Sequence, residues 1–374
     1  MELKFEKLLQ PRTLNSSINV RNPIVMSPMT TFSGNPNGTV SEAELSYYKS
    51  RSKGVGIVIT AATYVRPSGK GFLGQFASYN NSFLPGLKKL AQTIKGEGAL
   101  AILQIFHGGR MAIPTEIPTG QTISASSVKP ERPGAMTPRE MSEAEIQDTI
   151  KAFGEASKLA IDAGFDGVEI HGANTYLLQQ FFSPNSNLRK DVWGGSIEKR
   201  MAFPLAVISE VKQVIKENGR DNFIVGYRFS PEETENNGIT LEDTLQFIEV
   251  LTNQGLSYLH SSIMDFWQSS MLDKSNTKPI ICKILNQING RVPFIGVGSI
   301  RTPEDAIIAL NSGAEFISLG RELIMEPDWV SKVQNGNFLE IRTTLSKNSK
   351  KSLDIPDPLW NAIMNTPGWF PLSE

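Results

Sequence analysis

The chain has 374 residues, 37 Lys and Arg against 38 Asp and Glu, a formal net charge of −1 and 40% hydrophobic residues. Such a balance offers no electrostatic footing for nucleic acid or an anionic membrane, and the fractions are those of an ordinary globular protein. With a single cysteine, Cys282, no intrachain disulfide and no cysteine-held zinc or iron–sulfur site is expected.

Residues 1–22 read as a short cap. Met1 to Gln10 alternates charged and apolar residues, so neither a signal peptide nor a membrane span is expected, and the expected location is cytoplasmic. A buried strand follows in Arg21–Thr30 and ends at Pro28, because proline cannot donate within a central strand. Ser41, with Glu44 three residues on, predicts a capping box and a helix to Arg51. Gly56–Thr60 predicts a second strand, Leu84–Lys95 a helix and Ala99–Ile105 a third strand. Gln104 is a polar residue within that apolar run and must find a partner in the layer or in a ligand.

Residues 108–140 are rich in Pro, Gly, Ser and Thr, a length without regular structure that predicts a lid or binding loop. Ser142–Ala163 is an amphipathic helix with a second capping box, Ser142 and Glu145. The fourth strand is Gly167–Ile170, and a helix spans about 197–217. The fifth strand, Phe223–Phe229, carries Arg228 near its end; a buried arginine needs an anionic partner. Leu241–Thr252 is a helix, Leu256–His260 the sixth strand, Lys278–Ile288 a helix on which Cys282 is expected to pack inertly, and Val292–Ser299 the seventh strand. Thr302 caps a helix with Pro303 at its first position, and Ala314–Leu319 is the eighth strand. Eight strands alternating with helices predict a closed (β/α)8 TIM barrel. The expectation is a single domain over 1–374, with the barrel at about 22–335 and an extension over about 336–374.

In such barrels chemistry sits at the carboxyl ends of the strands. Thr30, Gln104, His171, Asn174, Arg228, Gly298 and Arg321 all fall at or near those ends. His171 and Asn174 are three apart; if the chain turns helical there they share a face and could hold one carbonyl oxygen. Tyr176 adds a phenol that is protonated at neutral pH. Each also has an ordinary structural reading: a satisfied histidine, a helix cap, a core tyrosine. Gly298-Ser299 after the seventh strand and Gly320-Arg321 after the eighth mark where barrels bind phosphate. A phosphate end, a deep amide, a cation and an oxyanion pair with an acid together suit flavin mononucleotide.

Over nearly its whole length the chain resembles the Old Yellow Enzyme family of FMN-dependent ene-reductases. The resemblance is carried by Val25–Thr30, Gln104–Arg110, Phe165–His171 with Asn174 and Tyr176, Phe182–Arg189, Trp193–Arg200 and Gly320–Leu323. It implies that Pro28, Met29 and Thr30 lie against the flavin with Ala62 nearby, and that Thr30 tunes its potential. It implies that Gln104 and Arg228 hold the pyrimidine edge and that Gly298, Ser299, Gly320 and Arg321 hold the phosphate. His171 and Asn174 would bind the substrate oxygen and Tyr176 would supply the proton. One branch of the family has Cys at Thr30, His at Asn174 and Tyr at Phe32, and takes an arginine from a neighbour's tail. This chain follows the other pattern at the first two positions and has no arginine after Arg342.

The expected activity is ping-pong hydride transfer from NADH or NADPH through FMN to the C=C bond of a small α,β-unsaturated carbonyl, nitro or quinone acceptor. No nucleic-acid or membrane partner is expected, and a homo-oligomer is possible. The rival readings are a flavin-free barrel lyase or isomerase acting on a phosphorylated substrate, and a flavin-binding module without turnover.

Overall fold

The structure, a computed structural model, describes residues 3–14 and 17–373. Eight parallel strands form its centre: β1 Ile24–Met26, β2 Ile57–Ile59, β3 Leu100–Phe106, β4 Gly167–Gly172, β5 Ile224–Phe229, β6 Tyr258–Ser261, β7 Phe294–Val297 and β8 Phe316–Leu319. Each pairs with its neighbour in sequence, and β8 pairs with β1, which closes the sheet. Closure leaves no barrel edge to cover. The helices between them are α1 Glu42–Arg51, α2 Leu84–Gly96, α3 Glu143–Ala163, α4 Leu177–Phe182, α5 Ile197–Glu217, α6 Leu241–Leu251, α7 Ile280–Ile288 and α8 Pro303–Asn311. All eight expected strands are present, and the barrel is the expected TIM barrel.

Alternation along the strands fills the barrel in layers. Val25, Ile57, Ile59, Ile102, Ile224, Tyr258, Ile295 and Phe316 form one apolar cluster with Leu14 and Val20 of the antiparallel hairpin Arg12–Leu14/Ile18–Val20. That hairpin plugs the amino-terminal end. Arg21 seals the rim by donating to the carbonyls of Ser52, Val55 and Glu97 at 2.7–2.8 Å. Two residues further along β3, β4 and β6 the inward positions become Gln104, Glu169 and His260, all buried. The apolar floor therefore carries a polar layer facing the carboxyl-terminal mouth.

Several local expectations change. Ser41 caps α1 by accepting from Glu44 N at 3.2 Å, but the Glu44 carboxylate turns away to the Thr31 hydroxyl, so the reciprocal half of the box is absent. Cys282 is exposed: α7 buries Ile280, Ile281, Ile284 and Ile288, and the cysteine lies outside that stripe. The 108–140 segment is tied down over its first half. Residues 122–126 are buried, Ser124 donates to Gln180 at 2.9 Å, and Ile123–Ser124 pairs with Arg139–Glu140. Only residues around 131–137 stand largely free of that packing. Among the described residues, no helix is long and apolar enough to cross a membrane.

Glu44 gives the fold a pH dependence. Burial pushes its carboxyl up from its ordinary 4.5 to about 7. The folded chain thus holds this proton more tightly than the unfolded chain does. The cost of ionising Glu44 grows as pH rises from about 4.5 and levels off above about 7, amounting to roughly 3 kcal/mol at one unit per 1.36 kcal/mol. Glu44→Gln should lack this loss. Urea unfolding of both proteins from pH 5 to pH 8 should show wild type losing stability relative to the variant across the window; parallel curves would refute it.

Candidate active site

The site is built at the carboxyl ends of the strands. Behind β4 the chain does not turn helical. Asn174 and Thr175 take φ values of 56° and 62°, in the left-handed region, and α4 starts only at Leu177. His171 therefore belongs to the strand and Asn174 to a strained turn, not to one helical face. A β-branched residue such as Thr175 resists this conformation, so the turn must be held by its surroundings. Gln179 Oε1 accepts from Thr175 N at 3.0 Å, and Gln180 Nε2 donates to Thr175 O at 2.6 Å. Gln180 also binds Gly108 O, Arg110 N and Ser124 Oγ, while Gln179 leans on Glu233. Sequence reading missed these two glutamines; their only signal was a polar pair inside an apolar helix start.

The turn gives each donor a defined direction. His171 Nδ1 accepts the N–H of Ala173 at 3.2 Å, which leaves the ring proton on Nε2. Burial, with Arg228 adding to it, holds the His171 pKa well below its usual value, so the ring is neutral. The Asn174 Oδ1 accepts from Ser262 Oγ at 2.8 Å and its backbone N–H donates to Ser230, so its amide N–H2 is the free half. Tyr176 packs against His171 and Phe106 with ring centroids 5.1 and 4.5 Å apart, and burial pushes its phenol pKa up. Phe72 lies 6.0 Å from Tyr176 and Phe32 6.0 Å from Phe72, which gives this face an aromatic wall.

A cavity of about 280 Å³ opens across the barrel mouth; of this face only Asn174 lines it, and His171, Tyr176 and Gln104 lie outside its lining. Met29, Asn174, Arg228, Gly298, Ser299, Gly320 and Arg321 all line it. Pro28 and Thr30 lie on the loop after β1 and Ala62 on the loop after β2, outside that lining. Gln104 lies in the polar layer, with its Nε2 on Glu169 Oε1 at 2.7 Å. Glu169 is the anion that buried Arg228 requires, supplied by the neighbouring strand.

At the other end of the cavity Gly298 takes a φ of 126°, and a Cβ there would stand 2.5 Å from Phe266 N. Arg321 donates to Ser299 Oγ at 2.9 Å and to Trp369 O at 3.1 Å, so the carboxyl-terminal tail braces it. Arg301 also lines this end and was not foreseen. Glu322 is buried here without a hydrogen-bond partner among the described residues; burial, with Glu326 nearby, pushes its carboxyl up to about 9. It is uncharged at neutral pH and so does not offset Arg301 and Arg321; the carboxylate that acts on Arg321 is Asp265.

A glycine-lined basic end, a cavity across the barrel mouth and a buried cation whose Nε lacks a partner among the described residues fit a flavin phosphate, ribityl chain and pyrimidine edge in turn. These features suit an α/β-barrel flavoprotein. The sequence matches the NADH:flavin oxidoreductase / NADH oxidase family over residues 7–340, and the chain belongs to that family. It is an NAD(P)H-dependent FMN oxidoreductase of the Old Yellow Enzyme type.

It is 44% identical to the probable NADH-dependent flavin oxidoreductase YqiG of Bacillus subtilis (strain 168), with both chains covered in full. It is 41% identical to NADH:fumarate oxidoreductase of Klebsiella pneumoniae (strain 342) over 95% of this chain, but spans only 38% of that protein. Among solved structures, morphinone reductase in complex with tetrahydroNAD superposes with a TM-score of 0.76 at 26% identity, covering 88% of this chain and 90% of that one. Family membership sets aside the flavin-free isomerase reading.

Two outcomes follow from this geometry. Nitrogen-15 spectra should show His171 neutral with its proton on Nε2 from about pH 8 down to about pH 5.5, because its pKa lies well below 6.5; an imidazolium signal appearing near pH 6.5 would refute the assignment. Gln180→Leu should cost about 2–4 kcal/mol in denaturant unfolding, since it strands several buried polar groups at once. A loss below about 0.5 kcal/mol, the scale of an ordinary surface change, would mean that the turn holds itself.

Proposed function

We propose that the chain reduces the C=C bond of α,β-unsaturated carbonyl compounds, or related nitro compounds and quinones, with both substrates using one pocket in turn. Bound FMN would supply a two-electron carrier between nicotinamide and acceptor. Gln104 and Arg228 would hold its pyrimidine edge, and Gly298, Ser299, Gly320 and Arg321 its phosphate. Pro28, Met29, Thr30 and Ala62 would bound the ring, with Thr30 tuning its potential. His171 Nε2 and the Asn174 amide would donate to the acceptor's oxygen, where negative charge develops as hydride reaches the β-carbon. Tyr176 would protonate the α-carbon, which completes addition of H2 across the double bond.

The observation that carries this reading is the donor pair beside a protonated phenol. His171 is neutral with Nε2–H free, Asn174 has its carbonyl taken by serine, and Tyr176 stacks edge-on to His171. The aromatic wall of Phe32, Phe72 and Phe106 suits a planar acceptor. One relative is named for fumarate, itself a C=C bond conjugated to carboxyl groups, which is consistent with this class.

Tyr176→Phe tests it, because it removes the hydroxyl and keeps the ring. In stopped flow, reduction by NADH or NADPH should stay within a few-fold of wild type. Reoxidation by an enone should slow by about 10²–10⁴, the usual worth of a positioned acid. Quinones, which need no proton on carbon, should be largely spared. Equal slowing of both half-reactions would make Tyr176 a shape element and not the acid.

A further inference from the structure

One fully buried charged group inside the barrel has no task in the reaction just described. Glu169 is fully buried on β4. Its Oε1 accepts from Gln104 Nε2 at 2.7 Å, and its Oε2 lies 2.9 Å from His260 Nδ1. The register sets Glu169 level with Gln104 of β3 and Gly226 of β5. Gly226 has no side chain because the Tyr258 ring occupies that space; a Cβ there would stand 2.1 Å from it. Arg228, the next inward position on β5, stands one rung nearer the cavity, level with His171 and His260.

The charges follow from this packing. Burial works to protonate Glu169, but the hydrogen bonds from His260 and Gln104 and the charge of Arg228 outweigh it and keep the group a carboxylate. Burial keeps His260 below its usual pKa, although Glu169 pulls the other way, so His260 is neutral and donates from Nδ1. The counter-charge is therefore Arg228.

We propose that Glu169 is a positioning residue that sets both the polarity and the charge of the flavin's pyrimidine pocket, acting through Gln104 and Arg228. The inference rests on the cavity being the FMN site. By taking the N–H of the Gln104 amide, Glu169 leaves its carbonyl oxygen as the half presented to the cofactor, an acceptor for the ring N3–H. By standing behind Arg228, it offsets part of that cation and so moderates how strongly the pocket favours an electron-rich ring. A core carboxylate without these roles would be replaceable by a neutral isostere with no effect on the cofactor.

The test uses Glu169→Gln and Glu169→Asp in the full chain. FMN binding to apoprotein is followed by fluorescence quenching, and the midpoint potential of the reconstituted protein by dye equilibration. Glu169→Gln removes the charge and frees Gln104 to turn, so the potential should rise, because Arg228 is left unopposed. FMN affinity should fall about tenfold, the scale of one hydrogen bond lost in a buried site. Glu169→Asp keeps the charge but withdraws it from Gln104, so affinity should fall while the potential stays near wild type.

A Glu169→Gln potential at or below wild type overturns the charge role, and wild-type FMN affinity in Glu169→Asp overturns the orienting role. A merely structural residue would lower the melting temperature in both variants without separating the two readouts, and that result also overturns the proposal. Should Glu169→Gln fail to fold, the Asp variant decides alone: weakened binding at an unchanged potential sustains the proposal, and any other pairing refutes it. Wild-type apoprotein that takes up no FMN would be a different failure, that of the site reading itself.

Discussion

A carboxylate at the centre of a closed barrel persists only if it is compensated, because removing one such ion from water costs several kcal/mol even after relaxation. Glu169 meets that constraint with Gln104, His260 and Arg228, one partner each from β3, β6 and β5. Each partner is thereby held at the barrel mouth. His171 follows Glu169 by two residues on the same strand, so the alternation that points Glu169 inward also points His171 inward. The floor beneath is built from branched side chains with Tyr258 and Phe316, and every member of that cluster is buried. Polar specificity at the mouth thus depends on a dry, rigid base.

Strain is concentrated where direction matters. Two successive left-handed residues after β4 cost energy that α4 recovers through Gln179 and Gln180. A helical continuation would have been cheaper locally, but it would have swung Asn174 away from Ser230 and Ser262, the two groups that orient it. Holding donors in place before substrate arrives reduces the reorganisation required at the moment of reaction.

The two ends of the cavity solve opposite electrostatic problems. At the Arg228 end a cation is partly offset by a deep anion. At the glycine-lined end burial keeps the lining carboxyl of Glu322 protonated, so it does not offset Arg301 and Arg321, and Asp265 is the carboxylate that acts on Arg321. The tail reaches back here through Trp369 and Pro371, which tie a carboxyl-terminal segment to the basic end of the cavity.

How much of this was legible beforehand follows physical range. The strands, the helices and the caps at Ser142 and Thr302 were readable because periodicity and capping act over a few residues. The glycine turns and the polar positions at strand ends were readable because a barrel sends all its strand ends to one face. The partners were not. Glu169 lies 65 residues from Gln104 and 91 from His260, and only strand register decides that they meet. The left-handed turn was hidden because Gln179 and Gln180 enforce it against local preference. Glu44 abandoned its cap for Thr31 because a tertiary contact outweighed the local pattern, whereas Cys282 faces outward because it lies off the apolar stripe of its own helix. The sequence by itself determined which elements form and which face carries chemistry. Only closure of the barrel decided which charges neutralise one another and in which direction each donor points.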